Sequence, residues 1–301
     1  MRVALIGGTG FVGGYLVDAL LDAGHDLSLL VRPGSESKVQ AGAWRKISGN
    51  IGDKGAVEAT VAECDAVIYC VGILRESPGQ GVTFVSLQFD GVVRAVDAAK
   101  KAGVRRFLLM SANGVRVPGT PYQETKKRAE DYLLSSGLDA TVFRPSVIFG
   151  DPKGKMEIAT QLYRDIVRPP LPAPGFVTSA GQVLMSPIHV EDVSQAFVKA
   201  LVDDATIGKT YVLGGPEVLS WSDMIGRVAK AVGSDKWVLP VPVGLMKIGA
   251  TLFDWLPFFP VTRDQLTMLA EGNTADPSIV ASLIGRSPVA FTPENLSYLR
   301  H

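Results

Sequence analysis

Tyr122 and Lys126 stand four residues apart in Tyr122-Gln123-Glu124-Thr125-Lys126, and Glu130 follows at the same interval. On a helix that spacing puts all three on one face. A phenol has a reference pKa of about 10, so working as acid or base at neutral pH asks for a shift of roughly three units, or about 4 kcal/mol. A nearby ammonium favours the phenolate. The pair could therefore move a proton.

About a hundred residues earlier the chain reads Gly7-Gly8-Thr9-Gly10-Phe11-Val12-Gly13 after an apolar run. Gly7 permits a tight turn, Gly10 lets backbone approach a phosphate, and Gly13 lets the following helix pack close to the strand. A helix opening there turns unpaired N–H groups and a positive dipole end toward an anion. With Thr9, Phe11 and Val12 these residues form a candidate dinucleotide pyrophosphate site. The second strand ends Leu30-Val31-Arg32-Pro33-Gly34-Ser35, with no carboxylate at its tip and Lys38 beyond. An NAD site commonly has a carboxylate there for the ribose 2′-OH. Arg32 instead suits a 2′-phosphate, with Ser35 and Lys38 as further donors. NADP(H) is expected over NAD(H). A nicotinamide cation would add to Lys126 in favouring the Tyr122 phenolate.

These groups need a scaffold. Apolar strands are expected at residues 3–6, 27–31, 66–71, 107–110 and 140–143, with amphipathic helices between them. In the first helix Val12, Leu16, Ala19, Leu20 and Ala23 share a face, and Gly24 closes it. A helix at 89–102 ends at Gly103 in the same way. The alternation predicts an α/β fold, a doubly wound parallel sheet of Rossmann type, with a smaller mixed C-terminal lobe. The dinucleotide domain is placed at 1–149 plus 187–204 and the second lobe at 150–186 plus 205–301. The run from Arg168 to Gly175 holds four prolines and reads as a surface loop. Helices are expected at 221–232 and 244–256. The latter is amphipathic, with Leu245, Ile248, Leu252 and Trp255 on one side.

Several motifs occur in order: Gly7–Gly13, Tyr122/Lys126, Phe143-Arg144-Pro145-Ser146-Val147-Ile148-Phe149-Gly150 and Pro187-Ile188-His189-Val190-Glu191-Asp192-Val193. In this the chain resembles the extended and atypical short-chain dehydrogenase/reductase superfamily. It is most similar to the group holding the nucleotide-binding accessory subunit of respiratory complex I and its bacterial relatives, which are like the NAD-dependent epimerases and dehydratases. The resemblance implies that Tyr122 donates the proton and that Lys126 binds the nicotinamide ribose. It places Pro145, Ser146 and Val147 beside the carboxamide, Val71 and Gly72 under the adenosine, and Asn50 and Ile51 beside adenine. His189 and Asp192 read as structural. One departure matters: the superfamily's catalytic Ser or Thr falls on Ala112 or Asn113, one or two residues beyond Ser111, so the resemblance leaves Ser111 and Asn113 as the candidates to hydrogen-bond the substrate. The complex I accessory group has a similar Ser-Ala pattern, and the resemblance implies cofactor binding there without evident turnover.

Composition narrows the field. Among 301 residues, 30 Lys plus Arg balance 30 Asp plus Glu, so nothing suggests nucleic-acid binding. Cys64 and Cys70 form no metal-ligand or disulfide pattern and fit a reducing compartment. The first strand starts at Arg2, leaving no room for a targeting peptide, so a cytoplasmic location is expected. The apolar stretch 241–261 carries Lys247, Asp254 and three prolines, a poor membrane span. Three readings follow. One is an NADP(H)-dependent oxidoreductase of a small apolar carbonyl or quinone-like compound. Another is a non-turnover cofactor-binding module of a respiratory assembly, peripheral to a membrane. The third is a sugar-nucleotide epimerase or dehydratase with tightly held NAD, against which Arg32 argues.

Overall fold

Six stretches of the chain line up as parallel strands: β1 (Arg2–Ile6), β2 (Asp26–Val31), β3 (Arg45–Ser48), β4 (Ala66–Tyr69), β5 (Arg106–Met110) and β6 (Asp139–Pro145). The computed structural model describes residues 1–35, 45–244 and 263–300. The strand order is β3-β2-β1-β4-β5-β6, with a seventh strand, β7 (Lys209–Leu213), on the outer edge of β6. This is the doubly wound Rossmann arrangement, whose order reverses between β1 and β4. The expected α/β class is therefore the one found. Strands β1, β2, β4, β5 and β6 are the apolar runs, buried along nearly their whole length. Strands buried on both faces read as continuous apolar sequence. The edge strands do not: Arg45-Lys46-Ile47-Ser48 alternates half-buried with exposed, and β7 opens on two exposed residues.

Helices α1 (Phe11–Asp22), α2 (Lys54–Val61), α3 (Asp90–Ala102), α4 (Pro121–Leu134) and α5 (Val190–Leu201) complete the pattern. The buried face of α1 is Gly13, Leu16, Val17 and Leu20, with Ala23 exposed. It is rotated from the expected face toward Gly13, because the helix must approach β1 where that glycine sits. Gly103 closes α3 at φ 73°. A single π-helical turn, Val85–Phe89, precedes α3 where a plain helix start is expected.

The chain divides into two compact units, Met1–Arg144 with Val193–Val212, and Pro145–Asp192 with Leu213–His301. In the first, one buried cation ties late sequence to early. Arg106, 7% exposed, donates to Asp139 O at 2.7 Å, Thr141 Oγ1 at 2.9 Å, Thr206 Oγ1 at 2.7 Å and the carbonyl of Ala200.

The second unit packs Phe149, Phe176, Met224, Ile225 and Phe291 around the helix Trp221–Ala231, which starts with a Ser220/Asp223 capping box. The proline-rich run is not all loop. Ala173–Thr178 forms a strand, parallel to Val238–Pro242. Pro174 lacks an N–H, and Ala173 supplies the donor instead, to Trp237 O at 2.7 Å. Asp192 is fully buried, accepts from the Val289 N–H at 2.7 Å and meets Arg286 at 2.7 Å. That is a structural anchor. The amphipathic segment expected at 244–256 lies outside the described residues beyond Gly244.

Candidate dinucleotide and proton-transfer site

The glycine loop leaves β1 at its C-terminal end, on the switch-point side of the sheet. Gly7 adopts φ +108°, and a Cβ there would stand 2.8 Å from Cys70 Sγ and 3.0 Å from Val71 N. The constraint on Gly13 is harsher: a Cβ would lie 2.0 Å from Gly7 O. No heavier side chain fits without moving the strand end or the helix. The Gly10 N–H bonds Gly7 O at 3.1 Å and closes the turn, and Gly10 is the N-cap of α1. That helix start has no side-chain cap and no acidic residue in its first turn. Where a carboxylate or hydroxyl would otherwise satisfy the first N–H groups, the loop leaves room for an outside anion. These residues fit a dinucleotide pyrophosphate.

At the tip of β2, Arg32 is exposed and Ser35 is 7% exposed, the Ser35 N–H donating to Arg32 O at 2.9 Å. Lys38 lies outside the described residues. After β3, Asn50 turns its Oδ1 back to the Gly52 N–H at 2.8 Å, and Ile51 is buried. Asn50 thereby shapes the turn into α2, whose N-cap is Asp53. Val71, half-buried, and Gly72, exposed, follow β4; a Cβ on Gly72 would lie 3.7 Å from Lys126 Nζ. The pyrophosphate loop and the Tyr/Lys helix thus border the same strand end.

Helix α4 carries the candidate proton-transfer residues. Thr120 and Gln123 form a capping box and Pro121 occupies the first turn, which fixes where Tyr122 and Lys126 fall. The Gln123 amide also donates to Gly114 O at 3.0 Å, hanging the loop after β5 on the helix start. Tyr122 is half-buried and its ring meets Phe84 edge-on at 5.7 Å. Burial pushes its phenol up, the reverse of the direction expected from Lys126 alone. Lys126 Nζ lies 5.7 Å from the Tyr122 ring centroid and donates to Met110 O at 3.3 Å. Lys126 is 7% exposed, and that burial brings its ammonium down to about 8 against the opposing pull of Glu130. At neutral pH Tyr122 is therefore a phenol, a group that can give a proton rather than take one.

Ser111 is 5% exposed, and its Oγ has no hydrogen-bond partner among the described residues. It borders the same small space as Lys126, Gln88 and Tyr69. A buried hydroxyl left so carries a desolvation cost of about 1–3 kcal/mol. Asn113 is half-buried in the following loop. Pro145, Ser146 and Val147 belong to the second unit. There Ser146 donates its N–H to Leu213 O and its hydroxyl to Asn273 O, both at 2.8 Å.

Three participants escape a reading of the sequence. Phe84 backs Tyr122, its N–H held by Glu76 Oε1 at 2.6 Å. Gln88, carried on the π-helical turn, donates to Ile73 O at 2.8 Å and accepts from Thr125 Oγ1 at 3.3 Å, next to Lys126. Such turns recur at functional sites, yet no residue type announces one. Arg144, bound to Glu130 Oε1 at 2.9 Å through Nε and to Oε2 through Nη2, carries the last contact along the face.

The model of the NAD(P)H-binding family matches residues 7–167, from the glycine loop past the Tyr/Lys helix. The chain belongs to this family, within the extended short-chain dehydrogenase/reductase superfamily. Among curated relatives, it is 27% identical to the mitochondrial NADH dehydrogenase [ubiquinone] 1 alpha subcomplex subunit 9 of Arabidopsis thaliana, over 89% of this chain and 68% of that one. It is also 27% identical to a ceramide reductase of Caulobacter vibrioides, over 84% and 78% of the two chains. Among solved structures, a nucleoside-diphosphate-sugar epimerase from Staphylococcus aureus superposes with a TM-score of 0.74 at 17% identity, covering 100% of both chains. At that identity the likeness shows the shared fold. Membership accounts for the NAD(P)-type loop and for the Tyr/Lys helix in one unit. Among the described residues no helix is long and apolar enough to cross a membrane, and no cluster of potential metal ligands occurs.

Proposed function

We propose that this NAD(P)H-binding protein is an NADP(H)-dependent reductase of a small apolar carbonyl or quinone-like compound. The observation that carries the reading is the buried Lys126 ammonium beside a protonated Tyr122 on the face of α4. The bound dinucleotide would supply a hydride to the acceptor. Tyr122 would hand its hydroxyl proton to the oxygen that becomes an alcohol, and Lys126 would hold a ribose hydroxyl and steady the phenolate left behind. Ser111 and Asn113 would orient the acceptor oxygen. Support for an apolar substrate comes from the Phe84 ring on Tyr122 and from Leu74 and Val117, exposed on the loops after β4 and β5. The NADP(H) preference rests on the exposed Arg32 at the β2 tip and the missing carboxylate there.

A specific observation favours a second reading. Ala112 or Asn113 stands where the superfamily carries its Ser or Thr, as expected of a module that holds NADP(H) without turnover, and one relative is a respiratory-complex subunit. Mass spectrometry of the denatured supernatant from fresh protein, followed by NADPH oxidation with quinones, enones and aldehydes, separates the two. Oxidation by one compound class, lost about 10²–10⁴-fold in Tyr122→Phe with NADPH affinity kept, establishes the reductase. NADPH retained and inert across the panel establishes the module. Tightly held NAD in place of NADPH sinks both in favour of an epimerase-type reaction.

A further inference from the structure

Helix α4 carries a charge arrangement that proton donation by Tyr122 does not itself require. Lys126 is buried, and the group it donates to is a neutral carbonyl, Met110 O. One turn further, Glu130 is 1% exposed on the same face. A carboxylate four residues from a lysine is its natural ion-pair partner. This one is taken. Arg144, on β6, grips both Glu130 oxygens, a bidentate geometry that fixes the carboxylate in place. Among the described residues, the other titratable groups that border Lys126 bear no charge at neutral pH. Burial pushes the Cys70 thiol, after β4, up to about 12. Tyr69 on β4 has its hydroxyl on Leu87 O, and its phenol is pushed up by burial, as is that of Tyr122. Glu130 is thus the carboxylate that bears on Lys126, and Arg144 decides how strongly.

We propose that Arg144 is a positioning residue that sets the charge of Lys126 by holding the Glu130 carboxylate to itself. The inference rests on the reading of Lys126 as the ribose-binding lysine. With Arg144 in place, Lys126 is attracted by a carboxylate that is already neutralised, so its burial is poorly compensated and it gives up its proton near the alkaline edge of the physiological range. With Arg144 removed, Glu130 turns to Lys126 and holds the proton on. The device makes the ribose grip responsive to pH without placing a histidine in the site.

The test reads Lys126 directly in the full chain without cofactor. Its reactivity with acetic anhydride is followed from pH 6 to 11 by peptide mass spectrometry in the unsubstituted protein, Arg144→Gln and Glu130→Gln. The midpoint is expected near 8 in the unsubstituted protein. It should move up by about a unit, tenfold in proton affinity, in Arg144→Gln, and down by a similar amount in Glu130→Gln. Opposite shifts are the signature: simple loosening of the helix would expose Lys126 and raise the midpoint in both. No shift, or two shifts of one sign, overturns the proposal. Should either glutamine variant fail to fold, Arg144→Lys and Glu130→Asp replace them, with smaller shifts of the same two signs required. NADPH affinity, followed by fluorescence over the same pH range, tests the cofactor reading separately. An affinity that is absent in the unsubstituted protein sinks that reading while the labelling result stands.

Discussion

The glycine loop and helix α4 build the two ends of the candidate site by opposite means. At the loop, function is specified by side chains that are missing: a Cβ on Gly13 would sit 2.0 Å from Gly7 O, and the first turn of α1 holds no acidic residue. At α4, function is specified by side chains placed at a cost, with a lysine and a glutamate both nearly inaccessible. The loop is a shape, so it should break all at once. The helix face is a balance of charges, so it should shift by degrees. Geometry that excludes atoms is unforgiving, whereas electrostatics in a partly polar interior adjusts.

The largest expected effect is at the loop. Gly13→Ala must displace either the β1 end or α1, and NADPH binding should fall more than about 100-fold with a stability loss of about 1–3 kcal/mol, the range for overpacking. Isothermal titration and thermal melting check both; a variant that binds NADPH normally would undo the contrast. Next comes Arg32→Asp, at the loop's rim. It should weaken NADPH binding by about ten- to a hundred-fold relative to NADH, the worth of one charge-assisted hydrogen bond. Equal losses for the two would mean that Arg32 does not meet a 2′-phosphate.

The smaller effects belong to the helix, and one has an unusual sign. Burial brings Lys126 to about 8, below its unfolded value of about 10.4, so between these the unfolded chain binds more protons than the folded one. Stability therefore rises with pH across that window, and the full penalty for the buried ammonium is felt below it. Lys126→Met should stabilise the protein by about 1–3 kcal/mol near pH 7, and the gain should shrink toward pH 10. Urea unfolding at the two pH values measures it. A variant that is less stable at both would mean that Lys126 is better compensated than its contacts indicate.

The same contrast explains what could be read without coordinates. Gly7 and Gly13 are legible because excluded volume leaves a mark in the sequence: only one residue type tolerates such approach. The inner strands are legible because burial on both faces forces an unbroken apolar run. Tyr122, Lys126 and Glu130 are legible as a helical face, since their spacing is local. What escapes is whatever depends on a partner far along the chain. Nothing in Arg144 says that it will meet Glu130 across β6 and α4. Nothing in Gln88 says that a π-helical turn will carry it to Thr125, and nothing in Phe84, just before that turn, says that it will meet Tyr122. Strands β3 and β7 are missed because an edge is half solvated, and its sequence looks like a loop.

The position of β7 has a consequence for how the protein is made. Arg106 is committed to the interior, yet one of its acceptors, Thr206 Oγ1, lies 100 residues downstream. At ribosomal rates of about 5–20 residues per second, that acceptor is synthesised roughly 5–20 seconds after the arginine. For that interval a cation waits without its full set of acceptors, and the outer edge of β6 presents unpaired N–H and C=O groups to other nascent chains. The first unit is thus begun first and finished late, only after residues 145–192 have emerged. An N-terminal fragment ending at Arg144 should carry the glycine loop and α4 but aggregate along β6.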